Sequence, residues 1–393
     1  MNTVWRLASL ALLFLTSFSF VSAAEPGAEG ALPNLGSLPV YIGTYTHGKG
    51  LAASQGIHHG WLDLDTGKLR VEGVTPAIEP SFLAVDSSRH LYAANEGDVF
   101  VGKKSGAVTA FSIDGKSDEL RQINQRTSEG SGPCHVALDN NGKFLLVANY
   151  GSGSVAVLPI QKDGRLDQPS AVVEHKGSSV NPQRQEGPHA HSIGVDPQNR
   201  FVLEADLGLD KLFVYRFDSD LGTLSELPPA KLDPGSGPRH FVFGRNGGYV
   251  YVVNELASTI TTLSFNRETG ELKSLASVST LPKGFSGSNT TAEIDIHPSG
   301  RFLYGSNRGH DSIVIFSINS DTGMLTYVGH QPSGGKTPRS FGIEPTGKYL
   351  LVANQDSNNI VVMRIDSKTG KLTPTGNQAQ IGMPVCVKMI PAP

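Results

Sequence analysis

One unit is written seven times along this chain, and that repetition leaves few folds open to it. Set under one another, six segments share a pattern: PSFLAVDSSRHLYAANE from Pro80, PCHVALDNNGKFLLVANY from Pro133, PHAHSIGVDPQNRFVLEADL from Pro188, PRHFVFGRNGGYVYVVNE from Pro238, TAEIDIHPSGRFLYGSNR from Thr291 and PRSFGIEPTGKYLLVANQ from Pro338. Each is a short alternating strand, a polar turn of the Asp-Pro-x-Gly kind, and a second strand ending at Asn or Asp. A seventh start, PVCVKMI from Pro384, stops after its first strand. The period is near 50 residues, with two further strands between hairpins, as in SGAVTAFSI and DSIVIFSINSDTG. Four strands per unit at this period predict an all-β chain, a seven-bladed β-propeller over residues 38–393. YIGTYT and GIHHGWLDLDTGKL supply the second and third strands of the unfinished unit, so N-terminal strands are expected to pair with the C-terminal one and close the ring.

Ahead of the repeats, Arg6 precedes an apolar run from Leu7 to Val21 and the small residues Ser22, Ala23 and Ala24. That is the pattern of a secretory signal peptide over residues 1–24, followed by a flexible leader over 25–37. The run ends at cleavable small residues without a basic flank, so no membrane insertion is expected after cleavage and the mature protein is expected to be periplasmic or secreted. A net charge of -3 gives no footprint for nucleic acid. Charged residues are only 18% of the chain, with 45 Gly and 24 Pro, as a turn-rich β protein requires. Cys134 and Cys386 are too few for a disulfide framework.

In a propeller the first strand of each unit lines the channel and the second returns antiparallel to it. Strand starts and second-strand ends therefore share one rim, and the Asp-Pro-x-Gly turns lie at the other. The chemistry-bearing rim then holds His135, His189, His191, Arg239, His240 and Arg339 at strand starts, with Glu96, Tyr150, Glu255 and Arg308 past strand ends. Charges crowded at a narrow rim need partners or a ligand. His191, Arg239, Glu255 and Arg308, from three consecutive units, form the candidate catalytic group. His189, His135 and Arg339 are expected substrate contacts. The recurring Asn95, Asn149, Asn254, Asn307 and Asn354 read as turn caps, and His58 and His59 as surface or packing residues of the closing blade. His189 and His191, two apart on a strand, would face the same side as a pair of metal ligands, but no third ligand of matching spacing is evident. Neither metal nor cofactor is expected. There is no G-x-S-x-G elbow and no phosphate-binding glycine loop in a βαβ context.

YIGTYT, GPHAHS, GPRHF with YVYVVNE, AEIDIHPSGRFLYGSNRGHDSI and KTPRSFGIEPTGKYLLVAN together resemble the propeller lactonase family over nearly all of the mature chain. That family includes propeller-type 6-phosphogluconolactonases and fungal carboxymuconate cycloisomerases. In the cycloisomerase branch a His, an Arg, a Glu and a second Arg form the active site. The resemblance places these on His191, Arg239, Glu255 and Arg308. It implies hydrolysis of a sugar lactone, with His191 or Glu255 handling the proton and the arginines stabilising negative charge on the carbonyl oxygen. The export signal favours an unphosphorylated aldonolactone such as D-glucono-1,5-lactone over 6-phosphogluconolactone. A non-catalytic exported binding propeller and a muconate-type cycloisomerase are the remaining alternatives.

Overall fold

The computed structural model describes Met1 and residues 36–47 and 54–390. The expected signal peptide, and the leader up to residue 35, lie outside the described residues. Among the described residues there are seven four-stranded antiparallel sheets. Their inner strands are Pro80–Val85, Pro133–Leu138, Ala190–Val195, Pro238–Phe243, Thr290–Ile296, Pro338–Ile343 and Pro384–Met389, which are the seven repeat starts. The second strand of the last sheet is Ser37–Thr44, hydrogen-bonded between Pro384–Met389 and Gly56–Asp63. The ring is thus closed as expected by strands from both chain ends, leaving the closing sheet without an open inner edge. His58 and His59 lie on its third strand, Gly56–Asp63, where His59 is buried. No helix among the described residues is long and apolar enough to cross a membrane.

The core lies between blades. Val147 and Leu91 meet in one apolar cluster, Phe144 and Val202 in a second, Leu203 and Val252 in a third, and each joins neighbouring sheets. Fully buried tyrosines on second strands tie four of the blades to the outer turn of the next. Tyr41 donates to Asp118 O at 2.8 Å, Tyr92 to Gly164 O at 3.2 Å, Tyr251 to Gly323 O at 2.9 Å and Tyr304 to Gly370 O at 2.9 Å.

At the far rim the turns are self-capped. Asp196 Oδ1 accepts from Arg200 N at 2.6 Å and Phe201 N at 2.7 Å, and Asn199 takes the left-handed conformation (φ 59°) that Gly142, Gly247 and Gly300 take in other blades. At the near rim the strand-end asparagines act as the expected caps. Asn149 donates to Ser128 O at 3.0 Å, Asn307 to Thr280 O at 2.9 Å and Asn354 to Ser333 O at 3.2 Å, each anchoring the connection that enters its blade.

One irregularity recurs and matters for function. The inner strand shifts register one residue after its start, between Pro80 and Phe82, Pro133 and His135, Ala190 and Ser192, Pro238 and His240, and Pro338 and Ser340. The bulged residues are Ser81, Cys134, His191, Arg239 and Arg339. A bulge sets two residues against one and re-aims a side chain, so consecutive residues no longer alternate cleanly between faces.

The tyrosine stitches generate a stability prediction. Tyr251→Phe keeps the ring but leaves the buried Gly323 carbonyl without its donor, and should cost about 1–2 kcal/mol in denaturant unfolding. An unchanged unfolding midpoint would show that this blade-to-blade bond adds nothing.

Candidate active site

Two chambers lie along the axis of the ring. The chamber at the strand-start rim has a volume of about 310 Å³ and is lined by Glu96, Cys134, Tyr150, Arg184, His191, Glu255, Thr290, Arg308 and Arg339. A constriction formed by Phe82, Cys134, Arg239 and His240, among others, separates it from a second chamber of about 280 Å³ toward the turn rim. The first is the size expected for a small-ligand site, roughly 300 Å³ upward.

Glu255 organises the first chamber. Its Oε1 accepts a hydrogen bond from Arg184 Nη2 at 2.7 Å. Its Oε2 lies 3.0 Å from Arg239 Nε and 2.9 Å from Arg308 Nη2. The Arg239 contact is an ion pair rather than an aligned hydrogen bond, because its Nε has no acceptor in line. The aligned bonds of these arginines run to backbone carbonyls, Arg239 Nη1 to Ala292 O at 2.7 Å and Arg308 Nη2 to Thr291 O at 2.8 Å. Burial works to raise the Glu255 pKa, yet Arg308, Arg239 and Arg184 hold it down at about 2. Its carboxylate is therefore ionised and surrounded by cations.

Arg339 is placed differently. It lines the chamber, its guanidinium sits 5.3 Å from the centroid of the Tyr45 ring, and no carboxylate among the described residues lies within ion-pair distance. Burial works to lower its pKa, but Tyr45, Glu96 and Glu255 together hold it above the ordinary arginine value. The Tyr45 hydroxyl donates to Glu96 Oε2 at 3.0 Å, which fixes the second carboxylate of the chamber.

His191 faces the chamber from the bulge in its strand. Its Nδ1 is 3.8 Å from Cys134 Sγ, and its ring meets Tyr150 edge-on at 5.4 Å and His240 at 5.3 Å. Burial, aided by the nearby charge of Arg239, pushes its pKa well below the ordinary histidine value, so the imidazole is neutral at working pH. Burial also pushes the Cys134 thiol up, which keeps it protonated and a poor nucleophile.

His191, Glu255, Arg308 and Arg339 come together as lining of one chamber, and Arg239 stands directly behind Glu255, reaching the constriction. The two other expected substrate contacts lie elsewhere. His189 stacks on Tyr150 at 4.4 Å with Nδ1 3.0 Å from Tyr150 O, so it supports a lining residue from behind. His189 precedes the strand Ala190–Val195 and the bulge falls at His191, so the alternation behind the same-side expectation does not run between them, and both rings pack on Tyr150. His135 lines the second chamber with His240, Glu293, Asp295 and Lys388. It follows the bulged Cys134 and is turned past the constriction. There His240 Nδ1 is 2.7 Å from Glu293 Oε1, and burial raises Asp295 to about 6. Arg184 and Cys134 are chamber residues that sequence reasoning missed. Arg184 arrives on the long connection between Ala171–Glu174 and Ala190–Val195, whose path no periodicity dictates. Cys134 had a readable signal, since it occupies the position of His191 in the neighbouring repeat.

The arrangement is suited to acyl chemistry on a small ester: a neutral imidazole and unspent guanidinium donors face one sugar-sized space. Comparison with known proteins agrees. Residues 39–389 match the family model described as lactonase, 7-bladed beta-propeller. A 6-phosphogluconolactonase of Bacillus subtilis is 37% identical over 292 residues, which cover 73% of this chain and 80% of that protein. One of Formosa agariphila is 36% identical over 301 residues, covering 75% of this chain and 83% of the relative. Among solved structures, the periplasmic gluconolactonase of Pseudomonas aeruginosa superposes with a TM-score of 0.83 at 31% identity, covering 91% of this chain and 100% of that one. With the ring, the chamber and these relatives in agreement, the chain belongs to the seven-bladed β-propeller lactonases and is a hydrolase of lactones, that is, of cyclic carboxylic esters.

Proposed function

We propose that this lactonase opens an unphosphorylated aldonolactone, such as D-glucono-1,5-lactone, outside the cytoplasmic membrane. The observation that carries the reading is the distribution of charge in the chamber. Glu255 engages Arg184, Arg239 and Arg308, leaving Arg339 as the guanidinium without a carboxylate partner among the described residues. One unengaged cation suits a single oxyanion, whereas a phosphate dianion commonly takes several charge-assisted donors. The apolar N-terminal run of the sequence and the likeness to a periplasmic gluconolactonase support the compartment.

The proposed reaction uses groups already in place. Neutral His191 takes a proton from water as the water oxygen attacks the lactone carbonyl carbon. Negative charge gathering on the carbonyl oxygen is met by Arg339 and by the chamber-facing side of Arg308. Collapse of the tetrahedral intermediate breaks the bond to the ring oxygen, which takes the proton back from His191, giving the open aldonic acid. Glu255 and Arg239 are positioning residues in this scheme: the carboxylate holds the guanidiniums and its low pKa speaks against a role as base. A second reading, 6-phosphogluconolactone as substrate, is favoured by the relatives of that name and by three lining guanidiniums, Arg184, Arg308 and Arg339, against two carboxylates, Glu96 and Glu255.

Purified protein given each lactone and followed by acid release should act on D-glucono-1,5-lactone. Activity confined to the phosphorylated lactone would overturn the substrate choice. His191→Ala and Arg308→Ala should each lower kcat/KM by ~100-fold or more while leaving the fold intact. Near wild-type turnover in both variants would remove these residues from the mechanism. Because burial holds His191 neutral in acid, kcat/KM corrected for spontaneous opening should stay nearly flat from pH 7.5 to 5.5. A base with the ordinary histidine pKa would lose about tenfold at the acid end of this range, and such a loss would contradict the burial of His191.

A further inference from the structure

Outside both chambers, the blade whose inner strand is Ala190–Val195 contains a buried polar cluster that the reaction does not use. In five other blades the second strand ends at Asn95, Asn149, Asn254, Asn307 or Asn354, and two residues earlier stands an apolar residue or glycine: Ala93, Val147, Val252, Gly305 or Val352. This blade has Asp206 at the strand end and Glu204 two residues before it. Both are fully buried, and His175, from the connection that precedes the blade, is buried against them.

Asp206 Oδ2 lies 2.8 Å from His175 Nδ1, and Glu204 Oε2 lies 3.6 Å from the same nitrogen. Neither Glu204 oxygen has an aligned hydrogen-bond partner among the described residues, the nearest donor being the backbone N–H of His191. A buried carboxylate without an aligned donor is costly as an anion, and as an acid it leaves an O–H without an acceptor. The rest of the cluster is held in place. Asp206 Oδ1 accepts from His189 N at 2.8 Å and Leu209 N at 3.1 Å. His175 Nε2 is 2.7 Å from the Tyr215 hydroxyl, and the imidazole stacks on Phe213 at 3.9 Å.

We propose that His175, Glu204 and Asp206 form a structural divalent-metal site of the zinc class inside this blade. One nitrogen and two carboxylate oxygens, all within 4.8 Å of one another, make a donor set that zinc accepts. Ligand atoms around tetrahedral zinc stand ~3.3 Å apart at ordinary bond lengths, between the two separations found here. Two carboxylates and a neutral imidazole bring two negative charges, so a divalent cation makes the buried cluster neutral and gives Glu204 the partner it otherwise lacks. Tyr215 on the second ring nitrogen orients the imidazole as outer partners of metal-bound histidines do. Asp206 also holds the backbone of His189, two residues before His191, so the ion braces the strand that presents the proposed base.

The test uses the whole mature protein and does not depend on its substrate. Elemental analysis after purification from zinc-supplemented medium should find about one zinc per chain. Refolding with chelator should lower Tm by roughly 5 °C or more, and zinc should restore it. Replacement by Co2+ should give visible absorption bands of a protein-bound ion, a readout that needs no variant. In Glu204→Gln and His175→Gln the zinc content and the zinc-dependent rise in Tm should be lost. A wild-type chain that takes up neither zinc nor cobalt, with a Tm indifferent to both, overturns the site, as does metal retained undiminished in both variants. Lactone hydrolysis by a wild-type chain that takes up neither ion would leave the proposed function standing while removing this site.

Discussion

A bulge one residue into the inner strand is the constraint from which the architecture of the channel follows. In a regular strand, successive side chains alternate between faces, and a channel lined by seven such strands would repeat one pattern from rim to rim. The register shift at Cys134, His191, Arg239 and Arg339 interrupts that alternation at one level in blade after blade. Side chains at the shift meet the first chamber or the constriction below it. Those that follow, Phe82, His135 and His240, line the second chamber. Ring closure makes this a shared site, because Ser37–Thr44 pairs with Pro384–Met389 and brings Tyr45 beside Arg339.

Much of this was legible in the sequence because the repeat carries its own geometry. An antiparallel hairpin puts the start of one strand beside the end of the next, so counting repeats was enough to place His191, Glu255, Arg308 and Arg339 at one rim. The period-two rule failed where it met the bulge: it paired His189 with His191, and it gave no reason to send His135 to the other chamber. A bulge adds a residue without an unusual amino acid to announce it, since Cys134, His191 and Arg239 share no side-chain chemistry. Arg184 was hidden for another reason. Its connection has no apolar rhythm, and only the partners Glu255 and Tyr150 fix where its guanidinium ends. Glu204 stood in plain view in FVLEAD, but a strand between apolar neighbours gives no hint that its carboxylate is fully enclosed.

The charge arrangement bears on which step the site favours. Three guanidiniums around Glu255 cancel part of their own field, while Arg339 and the free faces of Arg184 and Arg308 keep the chamber positive overall. A neutral lactone gains little from that field when it binds, and gains more as its carbonyl oxygen becomes an oxyanion, so the attraction falls mainly on the transition state. A phosphorylated lactone brings its dianion into the same field before any bond changes, and part of the attraction is then spent equally on ground and transition states. The same positive surroundings act on the base. Burial together with the charge of Arg239 and Arg339 keeps His191 unprotonated, which preserves a proton acceptor but makes the imidazolium formed during attack short-lived. In the proposed mechanism that imidazolium is under pressure to give its proton up, and the departing ring oxygen is the group that needs one. In that mechanism one electrostatic arrangement assists both halves of the hydrolysis, the addition through the oxyanion and the elimination through the returned proton.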